Sequence, residues 1–92
     1  SINGYQMNLV AAGEMLLLFN RDVPGVIGAV GTIFGNHKIN IADMMLSRQK
    51  DTALMAIKLD APVPPAAMAE LEKKKPPIIK LVPVTLPPLN GG

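Results

Sequence analysis

The chain has 92 residues, a formal net charge of +2, no cysteine and a single histidine, so it is expected to form one small domain with a modest core. Disulfides and thiolate metal sites are excluded, one histidine is too few for a histidine metal cluster, and no apolar run is long enough to span a membrane. With one Tyr, two Phe and no Trp, the chain also lacks a stacking platform for nucleic-acid bases. We therefore expect no metal, no nucleic acid and no membrane partner, and by default a cytoplasmic location.

The two ends of the chain differ from its middle. Residues 1–13 are predicted to be the tail of a preceding domain and a linker, with a short strand at residues 6–10. The first residues are Ser1-Ile2 rather than Met, which favours either a processed terminus or a piece of a longer protein. Residues 87–92 are expected to form a flexible tail, which leaves residues 14–86 as the folded domain.

The first predicted elements are a strand and a helix. The almost continuous apolar run of residues 14–20 is typical of a central strand with both faces covered. Pro24 suits the first turn of a helix, and the helix is expected to end near Asn36-His37. Its apolar stripe consists of Val26, Ile27, Val30, Ile33 and Phe34. Gly28, Gly31 and Gly35 fall on another face, which either meets a neighbouring backbone closely or is simply surface.

A hairpin is predicted next. Residues 39–47 and 53–59 form its strands, and residues 49–52 form a polar turn between them. The apolar alternation of the first strand changes phase between Ile41 and Met44, which predicts a bulge near Ala42-Asp43. The second strand places Ala53, Met55, Ile57 and Leu59 on one face.

The remaining elements are a short helix and a last strand. Pro64 or Pro65 opens the helix, and Pro76-Pro77 ends it. Residues 78–84 form the strand, and Pro83 places it at a sheet edge because proline cannot donate to a ladder. The order strand, helix, strand, strand, helix, strand predicts an α+β ferredoxin-like βαββαβ fold. In that fold both helices cover one face of a four-stranded antiparallel sheet.

Polar side chains stand where the first strand ends and the first helix begins. Helix N-termini carry unpaired N–H groups and partial positive charge, so they attract carboxylates. Asn20 and Asp22 add acceptors there, and Asn20 adds a donor, so the corner suits both ends of a small zwitterion such as an amino acid. Asp22 has an alternative role as a helix cap. Gly25 serves either as a loop turn or as a close backbone approach for a ligand carboxylate.

No catalytic constellation accompanies this corner. The chain has no convincing Ser–His–Asp arrangement or paired carboxylates, and His37 is interpreted as a helix-terminus residue. The run Gly25-Val26-Ile27-Gly28 lacks the full dinucleotide fingerprint and the Walker lysine. We expect no catalytic residue and no bound cofactor in this domain.

Three motifs resemble those of the ACT domain family. They are Asn-Arg-Asp-Val-Pro-Gly-Val-Ile-Gly at residues 20–28, Ile-Asn-Ile-Ala at residues 39–42, and Asp-Ala-Pro-Val-Pro at residues 60–64. The resemblance covers about residues 15–86 and is greatest to the regulatory ACT domains of serine-biosynthesis dehydrogenases. The ACT domains of iron–sulfur serine dehydratases are the nearest competitors, and a purely structural dimerisation module is a further alternative.

The resemblance implies a regulatory domain that binds a small amino acid, most similar to the L-serine-binding members, between two copies of the chain. The copies are expected to form a homodimer through the edge of the second strand. The implied effector site comprises Asn20 and Asp22, with Asn40 from the partner copy, and the loop residues Val23, Pro24, Gly25 and Val26. NAD is expected only in the catalytic domains of the parent enzyme.

The sequence departs from the family pattern at four places. A histidine is common where Asn20 stands, an asparagine where Asp22 stands and an arginine where Val23 stands. Both polar replacements keep hydrogen-bonding capacity, and Asp22 is able to pair with an ammonium group. Lys38 stands where glycine is usual, at a position expected to need a positive φ.

Overall fold

The computed structural model describes residues 13–87, which form four strands and two helices. The elements are β1 (Gly13–Arg21), α1 (Val26–Asn36), β2 (Ile41–Gln49), β3 (Thr52–Leu59), α2 (Pro65–Glu72) and β4 (Ile78–Leu86). The strands form one antiparallel sheet of order β2-β3-β1-β4. The ferredoxin-like prediction is confirmed. The tail and short strand predicted before residue 13, and most of the predicted C-terminal tail, lie outside the described residues.

The core lies between the sheet and the two helices. β1 and β3 are the central strands, and Leu16, Leu18, Met55 and Ile57 are completely buried. Leu17 and Phe19, on the opposite face of β1, are also apolar but only half-buried. The unbroken apolar run therefore predicted a cover on both faces of β1, whereas the helices cover one. The helices complete the same cluster with side chains that recur at helical spacing: Val26, Val30, Ile33, Phe34, Ala67 and Leu71.

Helix α1 begins later than its proline suggests. Its N-cap is Gly25, which has φ 95° and ψ −14°, so Pro24 precedes the cap and does not occupy the first turn as predicted. Left-handed backbone at this position is easy for glycine and strained for residues with a Cβ. Ile27, predicted to be part of the buried stripe, is 47% exposed. The positions where Gly28, Gly31 and Gly35 would carry a Cβ face open space within the described chain.

The edge strand β2 forms where the sequence predicts a strand, but its first and last residues are shifted along the chain. The register of β2 against β3 changes between Ile41 and Asp43, which confirms the predicted bulge. β2 begins and ends two residues later than predicted, so Arg48 and Gln49 belong to the strand. Lys38, in the connection before β2, has φ 56°. A positive φ was expected there because Lys38 stands where glycine is usual in the family.

The second half of the domain confirms the proline signals at the start of α2 and in the outer strand, whereas α2 ends at Glu72, before the predicted stop at Pro76-Pro77. Pro64 is the N-cap of α2 and Pro65 its first residue, and β4 with Pro83 is the outer strand beside β1. His37, the C-cap of α1, contacts the Glu70 carboxylate and so links the two helices. Within residues 13–87, neither helix combines the length and the apolar character needed to cross a bilayer.

Candidate effector site

A row of three side chains crosses the sheet at the end nearest the start of α1. Asn20 on β1 is paired with Ala53 on β3, and Ala53 is paired with Arg48 on β2. Residues paired across neighbouring strands point to the same face of a sheet, and this is the face that carries the helices. Neighbouring strands are about 4.8 Å apart, so the Asn20 and Arg48 backbones stand roughly 10 Å apart. Ala53, between them, has a small side chain that is buried and forms part of the cavity lining described below.

The loop after β1 brings a carboxylate to this row. The Asp22 N–H donates to the Asp51 carbonyl oxygen in the β2–β3 turn at 2.8 Å, and the Arg21 N–H donates to the Pro77 carbonyl oxygen at 2.9 Å. These two hydrogen bonds hold the loop against the end of the sheet. Asp22 Oδ2 then lies 3.3 Å from Arg48 Nε. The site therefore contains one negative and one positive side chain in contact.

Asn20 is the most unusual residue of the site. It is 4% exposed, and Nδ2 donates to the Arg21 carbonyl oxygen at 2.7 Å. This bond fixes the amide orientation, because the flipped amide would place Oδ1 against another oxygen. Among the residues that the structure describes, Oδ1 has no hydrogen-bond partner. A buried acceptor without a partner costs free energy and is rare in folded proteins, so a ligand that donates a hydrogen bond would satisfy it.

These residues line an open cavity of about 340 Å³. Its walls combine the polar corner with apolar side chains and the first turn of α1, whose N–H groups have no partner within the helix. The lining residues are Asn20, Asp22, Val23, Pro24, Gly25, Ile27, Gly28, Leu46, Arg48 and Ala53. The cavity offers acceptors, a guanidinium group and helix N–H donors within the dimensions of a small polar molecule.

Five of the seven predicted site residues lie together in this cavity, and two lie elsewhere. Asn20, Asp22, Val23, Pro24 and Gly25 line it. The Val26 side chain instead packs in the core. Asn40 lies just before β2, at the opposite end of that strand, and its Nδ2 donates to Asp60 Oδ2 at 2.6 Å. Within one chain Asn40 is therefore remote from the cavity, so its predicted role depends on a second copy.

The capping interpretation of Asp22 is wrong. The N-cap of α1 is Gly25, and no side chain forms a cap hydrogen bond there. Asp22 lies three residues earlier, and its carboxylate pairs with Arg48 instead. The residue nonetheless lies in the cavity at the positive end of the helix, where a negative charge is favoured.

Sequence reasoning missed half of the cavity lining, and Arg48 is its chemically important member. The predicted strand ended at Ser47, which left Arg48 beside a polar turn. The signal was present, because Met44, Leu46 and Arg48 continue a period of two along the inward-facing side of β2. Ala53 was assigned to the correct face, but its place beside Asn20 in the cavity lining requires the strand register.

Comparison with known proteins identifies the class of this domain. Residues 15–75 match the ACT domain family. Because that match covers most of the chain, the chain belongs to the ACT domain family.

The chain is also similar to part of two named enzymes. The chain is 40% identical over 76 residues to D-3-phosphoglycerate dehydrogenase of Archaeoglobus fulgidus, covering 78% of this chain and 14% of the relative. It is 34% identical over 74 residues to D-3-phosphoglycerate dehydrogenase of Synechocystis sp., covering 78% of this chain and 13% of the relative. The chain thus spans about a seventh of the length of these enzymes.

A solved structure supports the fold alone. The crystal structure of protein BT0572 from Bacteroides thetaiotaomicron superposes with a TM-score of 0.60 at 14% sequence identity, covering 78% of this chain and 46% of that one. No group of three or more His, Asp or Glu side chains within residues 13–87 is placed to hold a metal ion.

Proposed function

We propose that this chain is a regulatory domain that binds a small amino acid, with L-serine as the first candidate. The observation that carries the proposal is the unpartnered Oδ1 of Asn20 in a cavity that also holds Asp22 and Arg48. An α-amino acid brings an ammonium group, a carboxylate and, in serine, a hydroxyl donor. These groups complement an acceptor, a carboxylate and a guanidinium. A purely structural module has no need for a buried acceptor that lacks a donor.

We further propose that the site is completed by a second copy of the chain. β2 is an edge strand, and Ile41 and Met44 on it are 36% and 38% exposed. If two copies pair antiparallel through β2, the start of one strand lies beside the end of the other. This geometry would bring Asn40 of a second copy to the end of β2 that carries Arg48. The ligand would then bridge two subunits.

The relatives suggest the enzyme that such a domain regulates. Both curated relatives described above are named D-3-phosphoglycerate dehydrogenase, which favours a serine-biosynthesis parent over a serine dehydratase. We propose feedback inhibition, in which serine favours one arrangement of the paired domains through its differential affinity for the two arrangements. NAD would bind to catalytic domains outside this chain. Here the Asp22 carboxylate lines the cavity at the start of α1, where it would repel a pyrophosphate.

Calorimetric titration with L-serine tests the proposed site. We expect the chain to bind L-serine, and Asn20→Ala, Asp22→Ala and Asn40→Ala each to lose about tenfold or more in affinity, equivalent to about 1.4 kcal/mol. Asn36→Ala is the matched control, because Asn36 is an exposed asparagine at the far end of α1. Unchanged affinity in all three variants would reject the site.

Two further results separate the remaining alternatives. A thermal-shift screen of the twenty amino acids identifies the effector, because a ligand of the native state raises the melting temperature. Absence of any shift, combined with a stable dimer in sedimentation velocity, would favour the structural module.

A further inference from the structure

Arg48 is the one cationic side chain among the residues that line the cavity. It is on the same side of the sheet as Asn20, two strands away, and both residues line the cavity together with Ala53. Its side chain is 65% exposed, so it is available to a molecule that enters the open cavity. Its ion pair with Asp22 uses Nε, whereas a carboxylate is bound most strongly by two parallel N–H groups of the guanidinium fork.

We propose that an amino-acid ligand divides the Asp22–Arg48 ion pair. Arg48 binds the ligand carboxylate, and Asp22 binds the ammonium group. The proposal rests on the proposed function and names the charged residues of the same site. Asn20 Oδ1 remains as the acceptor for a further donor of the ligand, such as a hydroxyl group. Each of the three polar side chains thus meets a different group of the ligand.

The exchange of partners predicts selectivity for zwitterions. Both partners of the Asp22–Arg48 ion pair are accessible to solvent, and 32% of the Asp22 side chain is exposed. Separating the two side chains therefore costs little free energy. A zwitterion gives each residue a new partner of opposite charge. An amine without a carboxylate leaves Arg48 unpaired in the occupied cavity, and a carboxylic acid without an amine does the same to Asp22.

Arg48 also connects the ligand with the proposed interface. It belongs to the edge strand β2, next to the last residue of that strand. A ligand that holds Arg48 therefore acts on the strand through which we propose that two copies meet. In contrast, Asp22 and Asn20 belong to the loop and strand on the other side of the cavity.

Titration of the Arg48 variants with two ligands tests the assignment. L-Serine carries both charged groups, whereas L-serine methyl ester keeps the ammonium and hydroxyl groups and has no carboxylate. We expect Arg48→Gln to weaken L-serine binding about tenfold or more, and to leave ester binding unchanged or up to about twofold tighter because the ester has no group for Arg48. Arg48→Lys keeps the charge without the fork and should restore part of the loss.

Lys73→Gln is the matched control, because it removes one positive charge at an exposed position after α2 and should bind both ligands as the parent chain does. If Arg48→Gln binds L-serine as tightly as the parent chain, or loses both ligands equally, the carboxylate assignment is overturned while the proposed function stands. If the parent chain itself binds no L-serine, the proposed function fails and this inference fails with it.

Discussion

The two strand-to-helix junctions of this domain occupy equivalent places in the fold and differ in chemistry. In the first half Asn20 is the last inward-facing residue of β1, and in the second half Leu59 is the last inward-facing residue of β3. Each precedes the first residue of its helix, Val26 or Pro65, by the same number of positions. Leu59 joins the hydrophobic core, whereas Asn20 leaves an acceptor without a partner.

The loop that follows Leu59 is also more apolar and more closed than the loop that follows Asn20. The second loop places Val63 against the core and enters α2 through Pro64, with φ −62°. The first loop leaves Val23 44% exposed and enters α1 through Gly25, with φ 95°. The second junction shows that the fold accommodates a closed, apolar connection between a strand and the following helix. The polar, open form of the first junction is a property of the site, and three substitutions test this distinction.

The largest effect is expected when the second junction is given the polarity of the first. Leu59→Asn removes a 95% buried apolar side chain from the core and buries an amide in its place. We expect a loss of about 3 kcal/mol in the free energy of unfolding, from lost burial and an unsatisfied polar group. Urea denaturation measures it. A loss below about 1 kcal/mol would mean that the two junctions do not differ in their demand for apolar packing.

An intermediate effect is expected at the cap of α1. Gly25→Ala forces a residue with a Cβ to adopt φ 95° and should cost about 1–2 kcal/mol of stability. Gly31→Ala is the control, since a Cβ there meets open space and alanine is the better helix former. Thermal melts of the two variants should shift in opposite directions. Equal shifts would contradict the strained-cap interpretation.

The smallest effect on stability, and the clearest on function, is expected when the first junction is made apolar. Asn20→Leu removes the unpartnered acceptor together with the Nδ2 hydrogen bond to the Arg21 carbonyl oxygen. Because that carbonyl also accepts from the Val23 N–H, we expect the ligand-free domain to gain no more than about 1 kcal/mol. The same substitution should abolish the rise in melting temperature that we expect L-serine to produce in the parent chain. A ligand-free variant that is less stable than the parent chain would show instead that Asn20 is needed by the fold.

The sequence predicts the order and type of all six elements because apolar periodicity and proline positions depend on local chemistry. Its errors occur where local signals are silent or ambiguous. Pro24 is typical of a first helical turn, yet the chain uses the left-handed freedom of Gly25 one residue later. β2 continues past its last apolar residue, Leu46, because backbone pairing with Thr52 holds its polar end.

The candidate site is also predictable only in part, because some of its residues come together through strand pairing and leave no local signal in the sequence. Asn20 and Asp22 are conspicuous because polar residues interrupt an apolar run at a strand end. Arg48 becomes visible only through the register that places it in the row of Asn20 and Ala53. The proposed contribution of Asn40 depends on a second chain, and the local sequence pattern carries no signal for how two chains pair.

The proline in the outer strand has a consequence for how large an assembly can grow. β4 contains Pro83, which removes a backbone donor from that border of the sheet, whereas β2 contains no proline. Strand addition is therefore favoured on the β2 side alone. If two chains pair through β2 as proposed, β4 forms both outer edges of the joined sheet, and the donor missing at Pro83 disfavours the addition of further chains there.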